Sequence, residues 1–236
     1  MPTPPQQLAV QIARMFPDAL FYKETTAKVV ALTIDDVPTP DEVDDASTQL
    51  ILDAIATHNR NLTLSEQARA TFFMISSHIR EESGIIDRIV EQGHEIGNHG
   101  TVDEMSALLH PEVFAQQLDA AHDRIVKQYP QSLRWYRPGH GLYNKKMLHY
   151  LQQKAGYEPR FALESMLPMD TFKPTNDCLF TAWYVSQHIF PGAILVLHGG
   201  SPQRSSQTAR ALTLILATLR ERCYRTVTLS ELWDME

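Results

Sequence analysis

Acidic and imidazole side chains recur where apolar segments of this chain end, and these residue types can perform hydrolytic chemistry. Asp35 and Asp36 directly follow the apolar, β-branched segment 29–34. Successive side chains on a strand diverge, so one carboxylate can bind a cation while the other acts as a general base. A solvated Asp-Asp turn is the alternative, but two acids at the end of a buried strand favour a functional site.

A second group lies in the segment 93–104, where Asp103 stands four residues after His99. If this segment begins a helix, both side chains point the same way, about one turn apart. An imidazole together with carboxylates suits zinc or another borderline divalent ion. Taken alone, the segment also fits ordinary polar surface.

Two further segments end in residues that could assist hydrolysis. Arg137 leaves a predicted strand into the turn 138–141, where an Arg can hold a carboxylate and backbone N–H groups can face a developing oxyanion. His198 follows the apolar run 193–197, and an imidazole at that place suits a general acid near neutral pH. An ordinary turn and a core histidine are the alternatives.

Helical and strand patterns alternate along the chain, which predicts a parallel sheet with helical crossovers. With roughly seven strands, an α/β fold of the distorted (β/α)7-8 barrel type is favoured over an open doubly wound sheet. The predicted strands are 29–34, 70–75, 94–98, 133–137, 161–163, 193–197 and 226–229. The predicted helices are 8–16, 46–57, 85–91, 111–128, 144–154, 179–189 and 208–222. We expect an N-terminal helix and lead-in over 1–27 and one catalytic domain over 28–236.

Composition excludes several classes of partner. The formal net charge of −7 argues against nucleic acid and gives no support to binding an anionic membrane. No stretch approaches the ~18 apolar residues of a membrane span, and the first residues lack a signal-peptide pattern. Cys178 and Cys223 are far apart and form no metal-type pair. We therefore expect a cytoplasmic protein.

Taken in order, these segments resemble the polysaccharide deacetylase family, the NodB-homology carbohydrate esterases, over about residues 28–232. The segment 33–36 matches T-[FY]-D-D, and 69–73 resembles K-A-T-F-F. The segment 93–99 matches G-H-E-I-G-N-H letter for letter. Arg137 to His140 resembles R-x-P-Y, and 195–198 resembles L-x-H.

The resemblance implies a metal-dependent hydrolase that removes an acetyl-type group from an N-acetylated carbohydrate or related amide. The catalytic residues that it implies are Asp35 as base, His198 as acid, Arg137 holding Asp35, Asp170 holding His198, and backbone N–H groups near Gly139 and His140 for the oxyanion. The family's second motif usually reads H-[ST]-x-x-H, whereas Asp103 replaces its second histidine here. The resemblance is therefore to a variant branch, with an implied metal triad of Asp36, His99 and Asp103.

Zinc is the expected ion, with cobalt, nickel and manganese as alternatives. The expected partner is a small-molecule or oligosaccharide substrate, with no nucleic acid and no membrane, and the oligomeric state is left open. Two rival readings are a hydrolase of a small cyclic amide or ureide and a non-catalytic carbohydrate-binding relative.

Overall fold

The structure, a computed structural model, describes residues 2–129 and 131–235. The predicted domain ranges 1–27 and 28–236 also include Met1, Pro130 and Glu236, which lie outside the described residues. The strands are β1 (Ala19–Leu20), β2 (Val29–Val37), β3 (Thr71–Met74), β4 (Glu95–Asn98), β5 (Phe161–Ala162), β6 (Ile194–His198) and β7 (Arg225–Val227). The α-helices are α1 (Pro4–Met15), α2 (Ala46–Asn59), α3 (Ile85–Glu91), α4 (Pro111–Val126), α5 (Lys145–Gln153), α6 (Cys178–His188), α7 (Pro202–Glu221) and α8 (Leu229–Trp233).

Strand β2 is the centre of the sheet. All nine of its residues are buried, as expected for a parallel strand that is covered on both faces. It pairs in parallel with β3, β6 and β7. Its register places Asp35 directly beside His198 at the carboxyl ends of β2 and β6. Two of the predicted site segments are therefore neighbours in the sheet.

The sheet closes on itself, which confirms the predicted barrel. The hydrogen-bonded order is β4-β3-β2-β6, and β7 also pairs with β2. Parallel bridges at Asn98–Tyr136 and Met166–Leu195 continue the ring, and the N–H of Ala162 donates to the carbonyl of Tyr136 at 3.0 Å. The predicted strand 133–137 contributes a bridge at Tyr136 in place of a regular strand, which is why the barrel is distorted there.

The barrel interior is filled by side chains from alternating strand positions, since successive residues of a strand point to opposite faces. These interior residues form one apolar cluster that includes Val29, Ala31, Phe73, Trp135, Ala162 and Ile194. The same alternation continues toward the carboxyl end of each strand. Two residues after Trp135 and Ala162, and four after Ala31 and Ile194, it therefore directs Arg137, Glu164, Asp35 and His198 toward the mouth of the barrel.

Helix α7 begins six residues earlier than the predicted helix 208–222. Ser201 caps it, since its Oγ accepts a hydrogen bond from the N–H of Arg204 at 3.3 Å, and Pro202 occupies the first turn. The apolar face of α7 packs against α2 and α6. The earlier start matters because it places Arg204 at the mouth of the barrel.

The lead-in is hydrogen-bonded to the barrel, because β1 pairs in parallel with β5. Neither β1 nor α8 was predicted from the sequence, and the division at residue 28 stays a prediction. No helix within the described residues is both long and apolar enough to cross a membrane. Cys178 is buried, Cys223 is exposed, and both thiols are free.

Candidate active site

The mouth of the barrel holds a pocket of about 350 Å³, a size typical of small-molecule sites. It opens where the carboxyl ends of the parallel strands meet, which is where barrel enzymes carry their chemistry. The site residues that line it are Asp35, Asp36, His99, Asp103, Arg137, His140 and His198. Four separate chain segments therefore converge on one pocket.

Asp35 is held by a buried guanidinium. Arg137 is 1% exposed, and its Nη1 donates to Asp35 Oδ1 at 2.6 Å and to Thr33 Oγ1 at 2.7 Å. Its Nε donates to the carbonyl of Ala162 at 2.9 Å. A buried charge needs such partners to offset its desolvation. The ion pair fixes one oxygen of Asp35 and leaves Oδ2 directed toward His99, with Nε2 at 3.8 Å.

Asp36 points away from Asp35 because its backbone turns into the left-handed region, with φ of 63°. Its Oδ1 lies 3.4 Å from His99 Nε2, and its Oδ2 accepts a hydrogen bond from Arg204 Nη1 at 3.1 Å. Burial acts to raise the pKa of Asp36, but the hydrogen bond to His99 and the charges of His99, His198 and Arg204 outweigh it and lower the pKa to about 2. Asp36 is therefore ionised near neutral pH, as its predicted role as a ligand requires.

The orientation of His99 fits its predicted role as a metal ligand. Its Nδ1 lies 2.8 Å from the carbonyl oxygen of Arg137, and since a carbonyl only accepts, Nδ1 carries the proton. Nε2 therefore faces Asp36 and the pocket: protonated, it donates to Asp36, and deprotonated, its lone pair would be available to an ion, as in histidines oriented by a partner at Nδ1. Burial opposes the charged imidazole, yet the carboxylates of Asp35 and Asp36 raise the pKa of His99. The same negative field favours a divalent cation.

The carboxylate of Asp170 contacts both the side chain and the backbone of His198. Asp170 Oδ1 lies 2.8 Å from His198 Nδ1, and Asp170 Oδ2 accepts from the backbone N–H of His198 at 2.9 Å. Both interactions leave Nε2 free to face the pocket. Burial acts to lower the pKa of His198, but Asp170, with the charges of Asp35 and Asp36, raises it to about 9. The imidazolium is thus a proton donor near neutral pH.

Asp103 lies in the same pocket but points elsewhere. Its Oδ1 is 3.6 Å from His140 Nε2, and its side chain is 56% exposed. Residues 99–103 form an irregular turn, so the helix on which a shared face of His99 and Asp103 depended is not present. The expected alignment of Asp103 with His99 is consequently lost in this conformation. Within residues 2–129 and 131–235, no three His, Cys, Asp or Glu side chains are gathered closely enough to hold an ion.

The donor set still fits a divalent cation in its chemistry. Asp36 and His99 supply one carboxylate oxygen and one imidazole nitrogen, both oriented by neighbours that are themselves hydrogen-bonded. Asp103 lines the pocket as the third candidate oxygen donor. A mixed N/O set of this kind suits zinc and other borderline ions.

The turn 138–141 packs tightly against the loop that carries Asp103. Gly139 is buried, and a Cβ built on it would lie 2.2 Å from the carbonyl oxygen of Glu104. His140 lines the pocket with a left-handed φ of 58°, whereas Gly139 lies behind it. In the described parts of the chain, no backbone carbonyl accepts a hydrogen bond from the N–H of Gly139 or His140. This is compatible with the predicted oxyanion role, which stays a prediction.

We expect Gly139→Ala to destabilise the fold, because the added methyl cannot fit against Glu104. Overpacking of this kind costs about 1–3 kcal/mol, which corresponds to a fall in melting temperature of roughly 2–12 °C for a chain of this size. Thermal unfolding followed by circular dichroism measures it. Gly84→Ala is the control, since its Cβ would meet nothing within 4 Å and only its φ of 65° is strained. Equal melting temperatures for the two variants would contradict the contact.

Two pocket residues were not found from the sequence. Arg204 contacts Asp36 from the start of α7, and no strand pattern pointed to it. Glu164 lines the pocket beside Arg137. Burial raises the pKa of Glu164, with Arg137 acting against it. Its position two residues after the inward-facing Ala162 is the signal that could have identified it.

Comparison with known proteins decides the family. Residues 22–159, more than half of the chain, match the family model described as polysaccharide deacetylase. The chain belongs to the polysaccharide deacetylase family. A family member from Bacillus cereus, a peptidoglycan-N-acetylglucosamine deacetylase, is 28% identical over 205 residues, which cover 87% of this chain and 88% of that protein. The family resemblance predicted from the motifs is thereby confirmed.

Solved structures of the family share the fold. A family 4 acetyl xylan esterase from Clostridium thermocellum, solved in complex with a cobalt ion, is 26% identical with a TM-score of 0.73, and the match covers 87% of this chain and 90% of that one. A CE4 family pseudoenzyme from Bacillus anthracis has a TM-score of 0.75 at 23% identity and covers 92% of this chain and 69% of that one. The second likeness concerns the fold alone.

Proposed function

We propose that this chain is a metal-dependent hydrolase that removes an acetyl group from the nitrogen of an N-acetylated sugar. The observation that carries the proposal is that one pocket contains a carboxylate and an imidazole, each fixed by a different partner. Asp35 is fixed by Arg137 with Oδ2 left free, and His198 is fixed by Asp170 with Nε2 left free. One residue can take a proton and the other can give one, as amide hydrolysis requires.

Asp35 is the general base. Its Oδ2 faces the centre of the pocket and can accept a proton from the attacking water, while the ion pair to Arg137 prevents the carboxylate from rotating. Placing the base in fixed geometry lowers the entropic part of the barrier. Asp36 diverges from Asp35 and is engaged by His99 and Arg204, so the adjacent acids serve different tasks.

His198 is the general acid. Its imidazolium, stabilised by Asp170, donates a proton to the leaving nitrogen, which would otherwise depart as an unstable amide anion. Asp36 and His99, with Asp103 as the third donor, would hold the divalent ion. When bound, that ion supplies Lewis-acid polarisation of the substrate carbonyl and activation of water.

Acetate release tests the proposal. We expect turnover of N-acetylglucosamine oligosaccharides in the presence of zinc or cobalt, and loss of turnover after chelation. The substrate panel includes acetylated xylan, because one relative is named an acetyl xylan esterase, and a cyclic ureide whose ring opening is followed separately, since it releases no acetate. Failure to hydrolyse any of these substrates, with metal bound, would favour the non-catalytic reading.

Zinc affinity tests the role of Asp103. If Asp103 turns from His140 to the metal, Asp103→Ala should weaken zinc binding by about 10-fold or more, since the ion loses one of three protein ligands. Isothermal titration calorimetry on the purified chain measures the dissociation constant without reference to activity. Asp119→Ala is the matched control, because Asp119 is exposed and pairs with Lys154 far from the pocket. Equal zinc affinity in wild type and Asp103→Ala would remove Asp103 from the ligand set.

The pH profile tests the acid. Because Asp170 raises the pKa of His198, the protonated acid is present below that pKa and is lost as the pH rises through it. Asp170→Asn removes the charge, lowers the pKa of His198 and should move the alkaline limb of kcat/KM to lower pH. Kinetics between pH 6 and 10 measure the shift, in which roughly one pH unit corresponds to 1.4 kcal/mol. An unchanged alkaline limb would show that another group limits the rate there.

We also propose zinc as the physiological ion, on the grounds of the mixed N/O donor set, and keep the cytoplasm as the predicted location. Elemental analysis of the purified protein tests the first proposal. Cell fractionation tests the second.

A further inference from the structure

Glu164 is an acidic residue of the catalytic pocket that the proposed mechanism does not use. It lines the pocket together with Asp35, Arg137 and His198. Its side chain is half-buried, and burial raises its pKa, with the charge of Arg137 acting against this rise. The carboxyl group therefore shares the space of the proposed base and acid, and burial there favours its neutral form.

The main chain fixes the position of Glu164. The N–H of Leu163 donates to the carbonyl of Leu20 at 2.9 Å, and the N–H of Ser165 donates to the carbonyl of Ile194 at 3.1 Å. The segment is thus hydrogen-bonded to β1 on one side and to β6 on the other. The side chain between these two bonds reaches into the pocket.

The other charged side chains around Glu164 are paired with opposite charges. These pairs are Arg137 with Asp35 at 2.6 Å, Arg204 with Asp36 at 3.1 Å, His198 with Asp170 at 2.8 Å and His140 with Asp103 at 3.6 Å. In the parts of the chain that the structure describes, Glu164 forms no ion pair and its carboxyl group accepts no hydrogen bond. It is therefore available to a ligand.

The neighbours of Glu164 do not satisfy this carboxyl group. Arg137 is engaged elsewhere, since it donates to Thr33, Asp35 and the carbonyls of Ala162 and Leu163. Gly141 brings no side chain, and a Cβ on it would lie 3.8 Å from Glu164 Oε1. A polar group that is shielded from water without a partner costs free energy. A bound ligand that offers a hydrogen bond would remove this cost.

A hydroxyl group fits Glu164 better than an ammonium group does. Burial favours the neutral form of the carboxyl group, which both donates and accepts, and a hydroxyl group does the same. An ammonium group only donates, and it is attracted mainly by the ionised form. In an N-acetylated sugar, the ring hydroxyl groups offer this combination.

We propose that Glu164 binds a ring hydroxyl group of the N-acetylated sugar and so selects hydroxylated substrates. The inference rests on the proposed function, since it concerns the substrate of the same pocket. Glu164 is a binding residue in this account and takes no part in proton transfer.

A set of deoxy substrates tests the proposal. Methyl N-acetyl-β-D-glucosaminide is compared with its 3-deoxy, 4-deoxy and 6-deoxy analogues by acetate release. We expect kcat/KM of the wild type to fall about tenfold or more for one analogue, because a site that binds a hydroxyl group rejects the compound that lacks it. Glu164→Ala should turn over that analogue and the parent compound equally well. Four equal values in the wild type, or losses that all persist in Glu164→Ala, would overturn the proposal.

Two further variants separate hydrogen bonding from structural damage. Glu164→Gln keeps a donor and an acceptor, so it should retain the preference for the hydroxyl group that Glu164→Ala loses. Glu91→Ala is the matched control, because Glu91 is exposed at the end of α3 and does not line the pocket. It should give wild-type values with all four compounds. Equal loss of the preference in both Glu164 variants would contradict a hydrogen bond to a hydroxyl group.

Binding separates the role of Glu164 from catalysis. Ligand-observed NMR on zinc-loaded Asp35→Asn should show tighter binding of the parent compound than of the rejected analogue. Glu164→Ala introduced into that background should remove the difference. If this holds while the wild type releases no acetate, the role of Glu164 stands and the proposed function fails. Acetate release that does not depend on Glu164 would leave the proposed function intact and overturn the inference.

Two other results would overturn the proposal in favour of another role for Glu164. Methyl β-D-glucosaminide, the free amine, could bind more tightly than the parent compound in a Glu164-dependent way, which would indicate an ammonium site. A zinc affinity that falls about 10-fold or more in Glu164→Ala would indicate a metal ligand. We expect neither result, and calorimetric titration of the purified chain with zinc measures the second.

Discussion

Asp35→Asn should reduce kcat by about 10²–10⁴-fold, the usual contribution of a general base. The amide keeps an oxygen that can accept from Arg137 Nη1, which lies 2.6 Å from the carboxylate in the wild type. It lacks a basic oxygen for the proton of the attacking water. Asp36 and His99 are unchanged, so zinc affinity should remain close to that of the wild type. Acetate release and calorimetric zinc binding measure the two properties on one preparation.

The control for this variant is Asp53→Asn, which also neutralises an acid in an ion pair. Asp53 pairs with Arg88 at the surface and is 62% exposed, so its loss should leave kcat unchanged. The buried Arg137 loses its counter-charge in Asp35→Asn, so a lower melting temperature is expected alongside. Wild-type kcat in folded Asp35→Asn would refute the assignment of Asp35 as base.

His198→Asn should also reduce kcat for N-acetyl substrates by about 10²–10⁴-fold. The loss arises at the leaving group, because an amine departs only when its nitrogen is protonated. 4-Nitrophenyl acetate has a leaving group that needs no proton, so its hydrolysis should fall far less. The ratio of the two losses therefore reports on proton donation and is insensitive to general damage of the pocket.

His149→Asn is the control for this variant, since His149 is exposed on α5 and does not line the pocket. Both substrates should be turned over by it at wild-type rates. An equal loss on both substrates in His198→Asn would indicate that His198 positions other groups and does not donate the proton.

The proposed catalytic pair was predictable because strand ends can be recognised from the sequence. Asp35 and His198 each end an apolar, β-branched run, and parallel strands bring such ends together. The structure places them side by side in register. Asp170 lies in a loop, and only the family resemblance identified it; its two hydrogen bonds to His198 agree with the predicted role.

The orientation of Asp103 was not predictable from spacing. The interval of four residues after His99 implies a shared face only on a helix, and the loop 99–105 is irregular. The loop packs closely against Gly139, which belongs to a distant part of the chain, and such a contact cannot be read from local spacing. Arg204 was missed for a related reason, because the start of α7 depends on the cap at Ser201 and was predicted six residues too late.

The packing of Phe73 and Gly97 against Arg137 indicates a further position at which mutations should inactivate the protein. The guanidinium of Arg137 lies 4.1 Å above the ring of Phe73, and a Cβ on Gly97 would meet that ring at 2.6 Å. A side chain at residue 97 would displace the ring of Phe73 toward the guanidinium of Arg137. The shifted Arg137 would in turn move Asp35, the proposed base. A genetic screen for lost activity should therefore recover alleles at Gly97, a residue that does not line the pocket.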